Sequence, residues 1–228
     1  MGAIKLAIFD VAGTTAKDDG LVVQAFQDAI SASGYSAQEV EKMTEYVNAT
    51  MGQRKIDVFT HLCNGDLKKA EAMHEDFVSA YTSIVQRGGL EEFEGISDFF
   101  RELRSAGVGI GITTGFPREI LDPILDGLNW NELIDLSVAA SEVPRGRPAP
   151  DMVLRSIEIY NQMNGGEITP AQVAVIGDTP SDVESGLSAG AALTIAVTSG
   201  AFDRAALEQL GATHVLNFST AALEILIS

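Results

Sequence analysis

The stretch Leu6-Ala7-Ile8-Phe9-Asp10-Val11-Ala12-Gly13-Thr14-Thr15 constrains this chain more than any other. An apolar run that closes on Asp and then Gly-Thr-Thr reads as a strand buried on both faces, delivering a carboxylate to a loop. Ligands of open α/β sheets bind beyond the carboxyl ends of the strands, so Asp10 is where chemistry is expected. The ordinary alternative is a turn or cap residue, since Asp is common before Gly and Thr, so alone the stretch favours function only modestly. The rest of the chain has to decide.

Four segments follow with apolar residues at helical spacing and no strand-like run: Val22 to Ser33, Ala37 to Thr50, Gln53 to Cys63 and Leu67 to Gln86. Gly88-Gly89 then punctuates the chain, and the pattern changes to alternating helix and strand. Strands are expected at Val108 to Thr113, Leu133 to Val138, Val173 to Ile176 and Leu193 to Val197. Helices are expected at Ile96 to Ala106, Pro117 to Leu128, Pro150 to Met163 and Asp182 to Ala189, with a last helix, strand and helix after them. Such alternation indicates an α/β fold, a doubly wound parallel-sheet (Rossmann-like) core with helices on both faces. The first strand is separated from the second by the helical run, so the core carries an inserted all-helical cap domain. The expected division is residues 1–16 and 88–228 for the core and 17–87 for the cap.

Composition narrows the partners. A net charge of -17 over 228 residues argues against nucleic acid and anionic membrane, and neither is expected as a partner. An anionic small molecule would need a bound metal or a few well-placed Arg and Lys residues. The single cysteine, Cys63, excludes an internal disulfide and fits a reducing compartment. No apolar run is long enough to span a bilayer, and Asp10 interrupts the opening run too early for a signal peptide. Met1-Gly2 opens a myristoylation pattern, but Leu6 stands where that pattern wants Ser or Thr. A cytoplasmic protein is expected.

Polar residues gather where the strands end. Asp10 follows the first strand, Thr113-Thr114-Gly115 the second, Arg145-Gly146-Arg147-Pro148 lies past the third, and Gly177-Asp178-Thr179-Pro180-Ser181-Asp182 follows the fourth. Asp10 facing Asp178 and Asp182 makes a hard-oxygen site suited to Mg²⁺. Thr14, Thr114 and the glycine amides can donate to phosphoryl oxygens, and a guanidinium adds a forked cation. Each piece has an ordinary alternative: Asp182 as a helix cap, Thr114 as a turn hydroxyl, Arg147 as a surface cation. Together they specify phosphoryl transfer through an aspartyl phosphate on Asp10.

These loops resemble the four motifs of the haloacid dehalogenase-like superfamily, and the helical run stands in the place of its cap. In that superfamily a second Asp, the acid that protonates a leaving alcohol, follows the nucleophile by two residues; here the position is Ala12. The third motif usually offers Lys, and here it offers Arg147. Both departures match the phosphonoacetaldehyde hydrolase (phosphonatase) branch, whose opening motif is Asp-x-Ala-Gly-Thr-Thr and which carries Thr-Thr-Gly and Gly-Arg-Pro. That branch also has a cap lysine in a Met-Gly-x-x-Lys-Ile-Asp run that forms a Schiff base with the substrate aldehyde. This chain reads Met51-Gly52-Gln53-Arg54-Lys55-Ile56-Asp57.

Helical phase points to the same lysine. At 100° per residue Met51, Lys55, Ile56, Val58, Phe59, Leu62 and Cys63 share one arc, opposite Gln53, Arg54, Asp57, Thr60, His61 and Asn64. Burial on that arc favours the neutral, nucleophilic amine. The ordinary alternative is a lysine that snorkels past its apolar neighbours. An enamine leaving group needs no acid two residues after the nucleophile, so Ala12 and Lys55 explain each other.

The resemblance thus implies Mg²⁺-dependent cleavage of the carbon–phosphorus bond of a 2-oxoalkylphosphonate, with Asp10, Lys55 and Arg147 catalytic. It implies that Asp10, Asp178, Asp182 and the Ala12 carbonyl hold the metal. The expected substrate contacts are Ala12, Gly13, Thr14, Met51, Thr114, Gly115 and Phe116, and a homodimer through the cap is implied as well. The chain departs from the branch at Val58, Phe116 and Leu21, which stand for His, Tyr and Cys. Two rival functions are a phosphomonoesterase of a small phosphorylated metabolite and a catalytically idle phosphometabolite-binding protein.

Overall fold

The structure is a computed structural model that describes residues 3–228; the Met1-Gly2 pair, and with it the myristoylation pattern, lies outside the described residues. Strand β1 (Leu6–Phe9) is fully buried along its length. Its alternate side chains serve two cores, as the period of two requires. Ala7 and Phe9 belong to the large cluster on one face of the sheet, Leu6 and Ile8 to the cluster with Met152, Val153 and Ile157 on the other. A strand apolar on both faces is stable only between two layers of helices.

The remaining strands of the sheet are β4 (Gly109–Thr114), β5 (Leu136–Ala139), β6 (Val173–Gly177), β7 (Leu193–Val197) and β8 (His214–Leu216). They form one parallel sheet in the order β5-β4-β1-β6-β7-β8, with β1 in register between β4 and β6. The flanking helices are α5 (Ile96–Ser105), α6 (Arg118–Gly127), α7 (Asp151–Asn164), α8 (Pro180–Ala189), α9 (Arg204–Glu208) and α10 (Leu223–Ile227). Helix α5 shows how the pattern works: Ile96, Phe99, Phe100 and Leu103 recur at helical spacing, are buried, and set Phe99 and Phe100 against Phe9 with ring centroids 5.7 and 5.3 Å away.

Four helices lie between β1 and β4: α1 (Leu21–Ala32), α2 (Ala37–Ala49), α3 (Lys55–Leu62) and α4 (Leu67–Gln86). Their own core is aromatic, with Phe26 centred 4.7 Å from both Phe59 and Phe77. The chain leaves the sheet layer through β2 (Ala16–Lys17) and returns through β3 (Glu91–Glu92), and these two short strands pair antiparallel. The core is therefore doubly wound, with an inserted helical segment after its first strand.

Besides the unexpected β2–β3 ribbon and an α8 that starts two residues early, three differences have a local cause. Helix α3 begins at Lys55 rather than Gln53, because Gly52 is left-handed (φ 83°) and the residues after it lie against the sheet layer. Strand β5 begins at Leu136, because buried Trp130 closes turns to Leu133 and Ile134 first. At the end of the chain a short 3-10 turn over Ser219–Ala222 precedes α10.

Candidate active site

Asp10, the residue after β1, sits at the carboxyl edge of the sheet beside the ends of β4 and β6, where loop backbone frames a cavity of about 320 Å³. Asp10, Ala12, Gly13, Met51, Lys55, Thr114, Gly115, Phe116 and Asp178 all line it. Asp10, Asp178 and Asp182 are buried, and each can offer an oxygen within 4.8 Å of the others. Asp182 does so from the first turn of α8, where it also closes a capping box. Its Oδ2 accepts from the Thr179 N–H at 3.1 Å and from the Thr179 hydroxyl, while its own N–H donates to Thr179 Oγ1. It is thus both the helix cap and a member of the acidic cluster.

Two of the expected site residues are buried beside the carboxylates. Arg147 and Thr14, read from sequence as phosphoryl contacts, do not line the cavity but back its floor. The buried Arg147 guanidinium donates from Nη1 to Asp10 Oδ1, pairs with Asp182 Oδ1 at 2.6 Å, and donates from Nη2 to the Thr113 carbonyl at 2.9 Å and to its hydroxyl at 2.6 Å. Thr14 donates its hydroxyl to Asp178 Oδ1 at 2.9 Å. Sequence gives the position of such residues along the chain but not their depth. Thr114 does line the cavity, and its Oγ1 accepts from the Phe116 N–H at 3.3 Å.

Three buried carboxylates share a single guanidinium. Burial pushes Asp10 up to about 7 against the pull of Arg147, and burial with the charges of Asp10 and Asp182 holds Asp178 well above the usual carboxylate range. A divalent cation would relieve both, and the donors are the hard oxygens that Mg²⁺ prefers. The backbone is shaped to the carboxylates: a Cβ on Gly13 or Gly200 would lie 2.5 or 1.8 Å from Asp178 Oδ2. The residues fit the metal.

On the opposite wall is Lys55, the first residue of α3, buried to 5% exposure. Its Nζ lies 5.9 Å from the Phe26 ring centre and 5.2 Å from that of Phe116. Burial draws its amine down to about 8, against the charges of Asp10 and Asp18. Val58, Phe59 and Leu62 are buried on the same helix face. The loop before Lys55 is seated by three close approaches. A Cβ on Gly115 would lie 2.4 Å from the Gln53 carbonyl oxygen, one on Gly146 the same distance from Arg54 Cβ, and one on Gly52 2.3 Å from Thr179 Oγ1. The Lys55 N–H donates to the Gly115 carbonyl at 3.3 Å, and Arg54 donates to the Pro144 carbonyl at 3.2 Å.

Three residues at which the chain departs from the phosphonatase pattern are apolar packing here. Val58 and Phe116 are buried at 2%, and the Phe116 ring packs tilted against Tyr81 with centroids 4.7 Å apart; Leu21 packs partly buried at the start of α1. Sequence reading missed Asp18, which lines the cavity from just after β2. In sequence it is the first residue of Asp18-Asp19-Gly20, which resembles an ordinary turn.

The model of haloacid dehalogenase-like hydrolases matches residues 7–197. A phosphonoacetaldehyde hydrolase of Bacillus cereus is 29% identical over 200 residues, spanning 82% of this chain and 73% of the relative. An N-acetylmuramic acid 6-phosphate phosphatase of Pseudomonas aeruginosa is 27% identical over 193 residues, spanning 82% and 79%. The crystal structure of a hydrolase from Pseudomonas syringae superposes with a TM-score of 0.82 at 21% identity, covering 98% of this chain and 97% of the other.

Proposed function

The chain belongs to the haloacid dehalogenase-like hydrolase family, and on that premise we propose that it hydrolyses the carbon–phosphorus bond of a 2-oxoalkylphosphonate, with phosphonoacetaldehyde the first candidate. One observation carries the reading. A buried lysine shares a cavity with the strand-end carboxylate, and Ala12 lines that cavity where an alcohol-protonating acid would otherwise stand. A carbon leaving group needs an electron sink, not a proton at the departing atom, and a lysine imine is such a sink.

In this reading residues 17–87 form the cap and residues 1–16 and 88–228 the core, so the cap brings the amine and the core the nucleophile. Neutral Lys55 condenses with the substrate carbonyl, expelling water and leaving an iminium. An Asp10 carboxylate oxygen attacks phosphorus; the carbon–phosphorus pair moves to form the enamine, and phosphate stays on Asp10. Water then frees phosphate from Asp10, and the enamine is protonated and hydrolysed to release Lys55 and the carbonyl product. Arg147 holds Asp10 with one oxygen fixed, and Thr14 holds Asp178 in the same way. Mg²⁺, held by Asp10, Asp178 and the Ala12 carbonyl with Asp182 behind, would neutralise the phosphoryl oxygens.

The competing reading is a phosphomonoesterase, favoured by the phosphatase relative at nearly the same identity. The two separate in a phosphate-release assay with Mg²⁺. Phosphonoacetaldehyde should be turned over, and Lys55→Arg should lower that rate by at least about 10³-fold, because an arginine forms no imine. If N-acetylmuramic acid 6-phosphate or another alkyl phosphate is the better substrate and Lys55→Arg retains activity, the phosphomonoesterase reading replaces this one.

A further inference from the structure

The cavity shared by Asp10 and Lys55 holds more titratable groups than the proposed chemistry uses. Lys17, Asp18 and Asp19 line it as well. Lys17 is engaged on the outer ribbon with Glu91 at 3.1 Å, and Asp19 is exposed. Asp18 is different. Its Oδ1 accepts from the Val22 N–H at 3.1 Å and lies 3.5 Å from the hydroxyl of Tyr81, a fully buried residue of α4 that packs on Phe116. Its carboxylate is thus fixed from two elements of the helical insert, and it lines the same cavity as Lys55. Burial raises its affinity for a proton.

Imine chemistry at Lys55 needs a group of this kind. The carbonyl oxygen departs as water only if it is protonated, and the attacking nitrogen has to shed a proton on the way. Among the described residues no histidine lines the cavity. Val58, nearly one turn beyond Lys55, is buried in the apolar cluster. Asp10 is bound to Arg147 and Asp178 to Thr14.

We infer that Asp18 is the proton carrier for imine formation and hydrolysis at Lys55, an assignment that rests on the Schiff-base reading above. The step balances with one proton shared by the pair. Lys55 Nζ bonds to the carbonyl carbon, the π pair moves to oxygen, and the protonated Asp18 carboxyl gives that oxygen its proton. The Asp18 carboxylate takes one proton from nitrogen and returns it to the hydroxyl. The carbon–oxygen bond then breaks, water leaves, and the nitrogen pair completes an iminium beside an ionised Asp18. Hydrolysis after carbon–phosphorus cleavage runs through the same transfers in reverse.

The test is the rate at which borohydride-trapped adduct accumulates on Lys55 with phosphonoacetaldehyde, measured by mass spectrometry. Asp18→Asn keeps an oxygen for the Val22 N–H and should melt within a few degrees of wild type, yet form adduct about 10²-fold more slowly. Asp18→Ala should be equally slow and should be accelerated in a saturable manner by added formate. Adduct formation by Asp18→Asn at the wild-type rate overturns the assignment. So does a slow Asp18→Ala that formate does not rescue, which would mark a positioning role alone. If wild type forms no adduct, the Schiff-base reading falls first and this inference with it.

Discussion

In the proposed reaction two demands meet at Lys55. A side chain that attacks a carbonyl must be neutral some of the time, and the burial that achieves this destabilises the folded chain whenever the amine is charged. The folded amine titrates near 8 and an unperturbed lysine at 10.5. Between these values the unfolded chain binds more protons, so stability should rise with pH from about 8 to 10.5; below 8 the penalty is present in full. A displacement of this size corresponds to roughly 2–4 kcal/mol. Lys55→Met should therefore unfold at higher denaturant than wild type at pH 7, by roughly that amount, with the gap closing by pH 10.5 and activity lost throughout. Equilibrium unfolding at several pH values checks this. A Met variant less stable than wild type at pH 7 would mean that the buried ammonium is held favourably by its surroundings.

Among the elements, what places Lys55 is the short loop before α3 rather than the helix itself. Gly52, Gly115 and Gly146 lie in three separate motifs, and their missing side chains are what let Gln53 and Arg54 lie against the sheet layer. Gly115→Ala would put a methyl 2.4 Å from the Gln53 carbonyl oxygen. The loop has to lift, so kcat/KM for the phosphonate should fall at least about 10-fold while the melting temperature moves by only a few degrees, since neither aromatic core is touched. Steady-state kinetics beside a thermal melt separates the two effects. This scale also marks what could be read in the sequence. The buried strand β1, the amphipathic helix α5 and the alternation after Gly89 were legible because periodicity reports which face is buried. Asp10, Ala12, Lys55, Thr114 and Asp178 were legible because their neighbours in sequence also shape the site. The β2–β3 ribbon was not, since two-residue strands have no period. Nor was the depth of Arg147 and Thr14, or the anchoring of Asp18 at the cavity; these depend on contacts with residues distant in the chain, such as Asp182, Asp178 and Tyr81.

At the scale of the whole molecule, a chain with a net charge of -17 concentrates three buried carboxylates at one sheet edge and sets one buried guanidinium among them. A cation that binds the folded chain there stabilises it by mass action, about 2.7 kcal/mol at one hundred times its Kd. Saturating Mg²⁺ should raise the melting temperature by about 5–10 °C over an EDTA-treated sample for a chain of this size. Asp178→Asn should abolish most of the shift; an equal shift in that variant would place the ion elsewhere. The proposed reaction joins both halves of the molecule, the amine of the helical insert and the carboxylate of the sheet. Its most direct test is to incubate the Mg²⁺-loaded protein with phosphonoacetaldehyde, reduce with borohydride and map the modified peptide by mass spectrometry. An ethyl group, the reduced imine of the cleaved product, is expected on Lys55, with no modification of Lys55→Arg and phosphate release from it lowered by at least about 10³-fold. Absence of any adduct from a preparation that hydrolyses alkyl phosphates would contradict the proposed reaction.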